Sequence, residues 1–241
     1  MVRRLVACLN GGREPGSHPA LPLTPGQLAA DTLAVIAAGA TEVHVHPRDS
    51  SGAESLSPGD VAEALDAIRG AAPETPVSVT TNLLPYMDAT RRAELISGWT
   101  VMPDLASVNI HEPGAAGLAL MLEEAGVGVE AGLWTPAAAR LFVAAGLPGH
   151  CRFVLIEPMD PGLEEALRTA SGVIEVLDDA GVALPRLLHG QDDPAWGVLT
   201  TAAVAGLDAR VGLEYTLYAE TGEPAAGNRA LIREARARLG A

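Results

Sequence analysis

Hydrophobic and polar positions define two kinds of segment that alternate along the chain. Short runs rich in Val, Leu and Ile are followed by longer stretches rich in Ala and Leu with helical spacing. The strand-like runs lie near residues 3–9, 41–47, 76–81, 104–110, 127–133, 151–157, 185–190 and 208–213. The helical stretches lie near residues 25–38, 58–70, 88–98, 114–125, 135–145, 162–180, 194–205 and 226–239. This order predicts a parallel sheet covered by helices.

Cap residues mark the ends of several predicted helices. Thr24, Ser57 and Thr135 each precede a proline, so a capping hydroxyl stands before a residue that suits the first helical turn. Glycines stand near helix ends, where we expect left-handed caps: Gly39, Gly70, Gly126, Gly146, Gly181 and Gly206.

Eight consecutive strand–helix units without a hairpin signal predict the α/β class, as a (β/α)8 or TIM barrel with residues 1–241 in a single domain. An open doubly wound sheet is the alternative. The chain has neither GxGxxG after its first strand nor GxxxxGK[ST], which removes the usual support for that alternative. The loop from Asn10 to Thr24 is the longest insertion, and such loops build barrel active sites.

Composition narrows the choice of partner. The 241 residues are 48% hydrophobic but only 3% aromatic, which suits a core of Ala, Val, Leu and Ile. A net charge of −14 disfavours nucleic acid and anionic membrane surfaces as partners.

The apolar run Leu5–Leu9 is too short for a signal peptide, and no run suits a transmembrane helix, so we expect a cytoplasmic protein. Cys8 and Cys151 form no CxxC and are predicted to be buried thiols.

Histidines end the second strand. Alternation places His44, His46 and Arg48 on one face and Val43 and Val45 on the other. Because the apolar face packs on helices, we expect the histidines to point into the barrel. Two imidazoles two residues apart can meet at one zinc ion, although hydrogen-bonded histidines without a metal remain the alternative.

The eighth strand offers a third ligand. Arg210 and Glu214 share its inward face, and strands eight and two flank strand one in a closed barrel. Glu214 can therefore reach the same metal as the histidines, unless it forms only a salt bridge. We predict Zn²⁺, with another divalent metal as the alternative.

Further polar residues stand at the predicted mouth, where barrel catalytic groups are found. They are Asn10, Glu14, Thr80, Asn82, Asn109, His111, Glu130, Glu157 and His189. For Asn82, His111 and Glu130, a satisfied polar residue without catalytic function is an equal alternative. His18 is a weaker candidate for the pocket, and His150 is expected at the opposite end.

Several motifs together resemble one family. They are the loop Asn10–Glu14, His18-Pro19, Leu23–Pro25, Ala37–Ala40, His44–Asp49 and Arg210–Glu214. This set, which spans nearly the whole chain, resembles the β-keto acid cleavage enzymes, the family that includes 3-keto-5-aminohexanoate cleavage enzyme. The middle strands match only in layout.

The resemblance implies a zinc-dependent TIM barrel, usually a homotetramer, that condenses a small β-keto acid with acetyl-CoA to give acetoacetate and a new acyl-CoA. It implies that His44, His46 and Glu214 bind the metal. It also implies that Arg210 is catalytic and that Glu14 and Thr80 position the substrate, with Glu14 counted among the catalytic groups. We further expect four mouth residues to bind substrate: Asn10, Arg48, Asn82 and Asn109.

The chain departs from the family at two positions. Tyr215 follows Glu214, where the family commonly has an Asp that takes part in proton transfer, and a phenol is a poor base. Glu157 ends strand six, which is often Gly-rich in the family. We hypothesise that Glu157 is a relocated base. The chain is also shorter than typical members, so the surface that holds CoA is expected to be altered.

Two other functions stay open. The first is a metal-dependent aldolase, lyase or hydrolase on the same barrel that does not use CoA, which the replacement by Tyr215 favours. The second is a barrel that binds a keto acid without turnover. The density of ionisable residues at the mouth argues against a mere binder.

Overall fold

The computed structural model describes residues 4–240 and contains a closed barrel of eight parallel strands in chain order. The strands are β1 (Leu5–Cys8), β2 (Glu42–Val45), β3 (Val77–Thr80), β4 (Leu105–Asn109), β5 (Gly128–Leu133), β6 (Phe153–Ile156), β7 (Arg186–Leu188) and β8 (Asp208–Val211). The predicted TIM barrel is confirmed and the open sheet is excluded. The predicted start of the first strand at residue 3 lies outside the described residues.

Helices follow the strands and cover the barrel. They are α1 (Pro25–Ala37), α2 (Pro58–Ala71), α3 (Ala89–Ser97), α4 (Ala115–Glu124), α5 (Pro136–Ala144), α6 (Leu163–Asp179), α7 (Ala195–Ala205) and α8 (Asn228–Arg238). A short 3-10 turn, Leu147–Gly149, lies between α5 and β6. Within residues 4–240, none of the helices is both long and apolar enough to cross a membrane.

The predicted N-terminal caps are confirmed. The side chains of Thr24, Ser57 and Thr135 accept hydrogen bonds from backbone N–H groups in the first turns of α1, α2 and α5. Five of the six predicted glycines have positive φ, whereas the prediction for Gly70 is wrong. Gly70 lies inside α2, because Ala71 continues the helix.

Alternation along each strand separates two apolar layers. Val43 and Val45 belong to the large core between strands and helices. A second, smaller cluster fills part of the barrel interior with Val6, Cys8, Leu155, Leu187 and Tyr215. Cys8 and Cys151 are free thiols, and Cys8 is buried as predicted, whereas Cys151 is partly exposed.

Charged residues fill the rest of the barrel interior. Arg210 on β8 donates to Glu130 on β5 over 2.5 Å, and both side chains are almost completely buried. Arg4 joins the same carboxylate at 3.3 Å and also pairs with Glu42 at the start of β2. Burial alone would raise the pKa of the Glu130 carboxyl, but Arg210 and Arg4 lower it below its usual value. Glu130 is therefore an ionised group inside the barrel.

Candidate functional site

A cavity of about 260 Å³ opens at the carboxyl ends of the strands. Such an opening is where TIM barrels carry their active sites. Its lining residues are Gly12, Arg13, His44, His46, Asn82, Ser107, Asn109, Trp134, Glu157, Met159, Gln191, Arg210, Glu214 and Tyr215. Eight of these fourteen residues come from the sequence predictions or from the departure noted at Tyr215.

His44 on β2 and His46 just beyond it are each oriented by a hydrogen bond on one side of the ring. His44 Nδ1 lies 2.8 Å from Ser78 Oγ on β3, and His46 Nδ1 bonds Glu54 in the loop after β2. The ring centroids are 5.3 Å apart at an interplanar angle of 82°. Because each Nδ1 already has a partner, each Nε2 is the nitrogen left to coordinate an ion.

Glu214, three residues beyond the end of β8, lies beside the histidines. Its Oε1 lies 3.5 Å from His46 Nε2, and its Oε2 is buried without a hydrogen-bond partner among the described residues. Ligand atoms of His44, His46 and Glu214 all lie within 4.8 Å of one another. Two imidazoles and one carboxylate are a donor set that catalytic zinc sites use, so these three residues could hold a divalent metal.

The charges of Glu214 and His44 suit a cation. Burial would lower the pKa of His46, but the Glu214 and Glu54 carboxylates outweigh burial and raise it to about 9, so His46 must release a proton before it can bind a metal. Burial would raise the pKa of Glu214, but the neighbouring His46 and His44 bring it down to about 2, so the carboxylate is ionised. Burial lowers the pKa of His44 well below its usual value, which keeps its ring neutral. A carboxylate anion beside a neutral imidazole is the form in which both groups bind metals.

The first loop packs against this group through two glycines. A Cβ on Gly11 would overlap the Glu214 side chain, and Gly11 also has a φ of +52°. A Cβ on Gly12 would lie 3.1 Å from Glu54, the carboxylate that orients His46. The Asn-Gly-Gly stretch therefore lets the loop approach the candidate ligands closely.

Four residues predicted to contact substrate do not line the cavity. Asn10 bonds the backbone of His46, and Arg48 donates to the backbone carbonyls of Gly11, Arg13 and Gly52. Thr80 Oγ1 accepts from the Asn82 N–H, and Glu14 is exposed in the first loop. The roles of Asn10, Glu14, Arg48 and Thr80 in substrate binding or catalysis stay predictions.

Arg210, Asn82, Asn109 and Glu157 do line the cavity. Burial raises the pKa of the Glu157 carboxyl to about 8, although Arg210 opposes that rise. Glu157 Oε2 lies 3.7 Å from His189 Nε2, a nitrogen that has no hydrogen-bond partner among the described residues. Glu157 is therefore a neutral carboxylic acid at neutral pH, placed on the wall opposite β2.

Tyr215 is buried beside this acid. Its ring centroid lies 4.2 Å from that of His189, and burial together with the Glu214 charge raises the pKa of its phenol well above the usual value. The phenol is consequently neutral. It fills barrel interior next to Cys8 instead of supplying a carboxylate.

The remaining histidines lie away from the candidate ligands. His18 is buried with Nε2 2.9 Å from the Ala225 carbonyl oxygen and does not line the cavity. His150 is exposed and bonds Glu123, as expected for the opposite end. His111 is exposed, and its ring lies 4.4 Å from that of Trp134.

Sequence reasoning missed several lining residues. Trp134 continues the inward series Glu130, Gly132 on β5, and Ser107 precedes Asn109 by two on β4, so alternation could have found both. Arg13 and Gln191 lie in loops, where no periodicity predicts the direction of a side chain.

A TIM barrel with two histidines and a glutamate at its mouth has the architecture of metal-dependent barrel enzymes. The chain matches the model of the beta-keto acid cleavage enzymes over residues 5–240 and belongs to this family. The resemblance seen in the sequence is thereby confirmed. Among proteins of curated function, none matches the chain.

Solved structures show the same fold at low sequence identity. The structure described as the binary complex of ObcA with oxaloacetate has a TM-score of 0.71 and 18% identity, covering 92% of this chain and 64% of ObcA. The ternary complex of ObcA with C4-CoA adduct and oxalate has a TM-score of 0.70 at 19% identity and the same coverage. 3-Dehydroquinate dehydratase from Geobacillus kaustophilus HTA426 has a TM-score of 0.64 at 14% identity, covering 99% and 90%. The chain thus spans less than two thirds of the length of ObcA.

Proposed function

We propose that this chain is a metal-dependent enzyme that condenses a small β-keto acid with acetyl-CoA to give acetoacetate and a new acyl-CoA. The observation that carries the proposal is the convergence of His44, His46 and Glu214 within 4.8 Å in a member of the beta-keto acid cleavage enzyme family. In this reaction the C2–C3 bond of the keto acid breaks, the two-carbon carboxylate fragment takes the acetyl group, and the acyl group leaves on the CoA sulfur.

The unpartnered Glu214 Oε2 and the Nε2 atoms of the two imidazoles fit a zinc ion, with another first-row divalent metal as the alternative. When bound, the ion would supply Lewis-acid polarisation of the carboxylate and ketone oxygens of the keto acid. Ser78 and Glu54 hold the imidazoles in the orientation that this binding needs.

Arg210 is proposed as the catalytic cation. Glu130 fixes its guanidinium, and its buried Nε has no hydrogen-bond partner among the described residues. A donor held in place without water can offset the negative charge that develops as the carbon–carbon bond breaks. This supports the role that the family resemblance assigns to Arg210.

Glu157 is proposed as the acid–base group in place of the missing Asp after Glu214. With a pKa of about 8, its carboxyl holds a proton near neutral pH and can exchange it with the reacting carbon. Tyr215 is a weaker candidate, because its phenol stays protonated. Of the remaining predicted residues, Asn82 and Asn109 are proposed to bind substrate from the cavity wall.

Acetyl-CoA and a homotetramer are finer parts of this proposal that come from the family resemblance, and a cytoplasmic location is a further part that comes from the sequence, where no run suits a signal peptide or a transmembrane helix. One description of ObcA names a C4-CoA adduct, which supports the use of CoA here. The absence of a carboxylate at residue 215 favours a second candidate, a cleavage of the keto acid by water without CoA.

The test combines metal content with turnover. Purified protein is assayed by elemental analysis beside His46→Ala and, as a control, His150→Ala, which removes an exposed histidine at the opposite end. We expect about one equivalent of zinc in the parent and the control and a loss in His46→Ala. Zinc content that is equal in all three proteins contradicts the metal centre.

Turnover then separates the two candidate reactions. A panel of small β-keto acids is incubated with the zinc-loaded protein, with and without acetyl-CoA. Formation of a new thioester only with acetyl-CoA supports the condensation, whereas loss of keto acid at the same rate without it supports the second candidate. Saturable binding of a keto acid without formation of any product would instead support a barrel that binds the keto acid without turnover.

A further inference from the structure

A buried ion pair stands directly behind the cavity wall. Arg92 on α3 is 1% exposed and pairs with Glu112 in the loop between β4 and α4. The guanidinium also donates to the carbonyl oxygens of Thr81 and Pro113. A buried arginine held by three acceptors fixes the position of Glu112.

Glu112 in turn orients an asparagine that lines the cavity. Asn109 Nδ2 donates to Glu112 Oε1 over 3.0 Å and to Asn82 Oδ1 over 2.9 Å. An ionised carboxylate only accepts hydrogen bonds, so the amide nitrogen of Asn109 must face Glu112. The oxygen of Asn82 must then face that same nitrogen, and the buried charge determines the direction of both side chains.

Two polar atoms of these side chains are left for the cavity: Asn82 Nδ2, a donor, and Asn109 Oδ1, an acceptor. Neither has a hydrogen-bond partner within residues 4–240, while both residues line the cavity. We call Asn82 and Asn109 the amide pair. It carries no charge and presents one donor and one acceptor on separate side chains.

Gly132 on β5 makes room for the acceptor. A Cβ at this position would lie 2.6 Å from Asn109 Oδ1 and 2.9 Å from Glu157 Oε1. Both oxygens therefore occupy the space that a side chain would fill on the inner face of β5. Any larger residue at position 132 would displace the acceptor.

From this geometry we infer that the amide pair recognises an amide group of the ligand, whose carbonyl oxygen accepts from Asn82 and whose N–H donates to Asn109. A carboxylate would place an acceptor against Asn109 Oδ1, and an ammonium group would place a donor against Asn82 Nδ2. Each mismatch leaves a polar atom unpaired in a confined site. Arg92 and Glu112 act as positioning residues. They fix the direction of both side-chain amides and so determine the preference for an amide group of the ligand.

The ligand amide has two sources under the proposed function, on which this inference rests: the distal end of the keto acid and the pantetheine arm of CoA. The cavity has the candidate metal ligands on β2 and β8 and the amide pair at β3 and β4. A small ligand in this cavity could therefore contact both groups of residues.

Calorimetric titration of the zinc-loaded protein tests the inference with near-isosteric probes. Glutaramate carries a carboxylate and a carboxamide, glutarate carries two carboxylates, and pantetheine carries the amides of the CoA arm. We expect glutaramate or pantetheine to bind at least about tenfold more tightly than glutarate, since a matched hydrogen bond replaces a mismatch. Tight binding of only one of them identifies the source of the amide.

Two variants separate recognition from structure. Asn82→Asp should lower the affinity for the preferred amide probe by at least about tenfold, because the substitution replaces the donor by an acceptor. Glu112→Gln should lower the ratio of amide-probe to glutarate affinity, because a glutamine lets the amide pair face either way. Glu94→Gln, which removes an exposed ion pair on α3, is the matched control and should leave that ratio unchanged. If Glu112 were only a structural residue, Glu112→Gln would lower the affinity for the amide probe and for glutarate equally.

Malonate, which has no amide, is titrated alongside to report the metal end alone. Amide probes that bind no more tightly than glutarate, or that do not respond to Asn82→Asp, overturn the inference. If malonate still binds in that case, the proposed function survives. If malonate also fails to bind to the zinc-loaded protein, the proposed function fails with it.

Discussion

The side chain of Asn10 pairs with the backbone of His46 in both directions. Its Nδ2 donates to the His46 carbonyl oxygen over 2.8 Å, and its Oδ1 accepts from the His46 N–H over 2.9 Å. Asn10 lies just beyond β1, and His46 just beyond β2, so the amide continues the pairing of two strands past their ends. The position of a candidate metal ligand thus depends on a residue that does not face the cavity.

Asn10→Ala should weaken zinc binding although all three candidate ligands remain. Loss of a group that orients a ligand typically costs about 10- to 100-fold in metal affinity. Competition with a chromophoric chelator measures the effect in the folded variant. Asn82→Ala is the control, because Asn82 bonds neither histidine, and its zinc affinity should stay at the parent value. An equal loss in both variants would contradict the role of Asn10.

Gly212→Ala should prevent correct closure between β8 and β1. A Cβ at Gly212 would overlap the backbone carbonyl of Cys8, which cannot move without breaking the pairing of these strands. We expect a thermal midpoint lowered by many degrees or failure to fold. Gly70→Ala is the matched control, since Gly70 lies inside α2 with open space around it, and it should stabilise by up to about 1 kcal/mol.

The pair Arg210–Glu130 should show strong coupling in chemical unfolding. Arg210→Met leaves the buried Glu130 charge with Arg4 alone, and breaking a buried pair costs about 3–5 kcal/mol. Adding Glu130→Gln removes the stranded charge and should recover part of that loss. Destabilisation by the double variant that equals the sum of the two single variants would show that the residues are independent.

Glu157 should make the protein less stable as pH rises. Its folded pKa of about 8 lies above the value of 4.5 that is usual for a glutamate in an unfolded chain, so the folded chain binds the proton more tightly than the unfolded chain. The stabilisation is complete below about pH 4.5 and is lost by about pH 8. Glu157→Gln should remove this contribution, so the free energy of unfolding of the parent should fall relative to that of the variant as pH rises across this window.

Unfolding at several pH values compares Glu157→Gln with Glu164→Gln, a change at an exposed glutamate on α6. The exposed variant should follow the parent curve. A Glu157→Gln curve that runs parallel to the parent curve across the window would show that the Glu157 carboxyl is ionised in the folded protein.

The sequence predicts the barrel and the candidate ligands well because both depend on periodicity. Alternation along β2 directs His44 inward, and chain order brings β8 beside β1 and thus Glu214 near β2. Alternation stops being informative where the strand ends. Arg48 follows Pro47, and its guanidinium bonds three loop carbonyls instead of facing the cavity.

Other parts of the candidate site depend on contacts between distant loops. Arg92 and Glu112 belong to different strand–helix units. Arg92 shares the buried face of α3 with Ile96, but its partner Glu112 lies in a loop that has no periodicity. Arg13 and Gln191 likewise line the cavity from loops. Such contacts form only when the barrel has brought the loops together, so no local sequence pattern predicts them.

The candidate ligands lie on β2 or just beyond β2 and β8, on either side of β1, where the last strand of the barrel pairs with the first. An ion bound there would cross-link the two ends of the sequence around a closed ring of strands. Separation of β8 from β1 would then release the ion, and binding of the ion by the protein would stabilise the closed ring. Zinc affinity would therefore measure how firmly the ring is closed, and a chain cut before β8 should fold and bind zinc only when the missing strand is supplied.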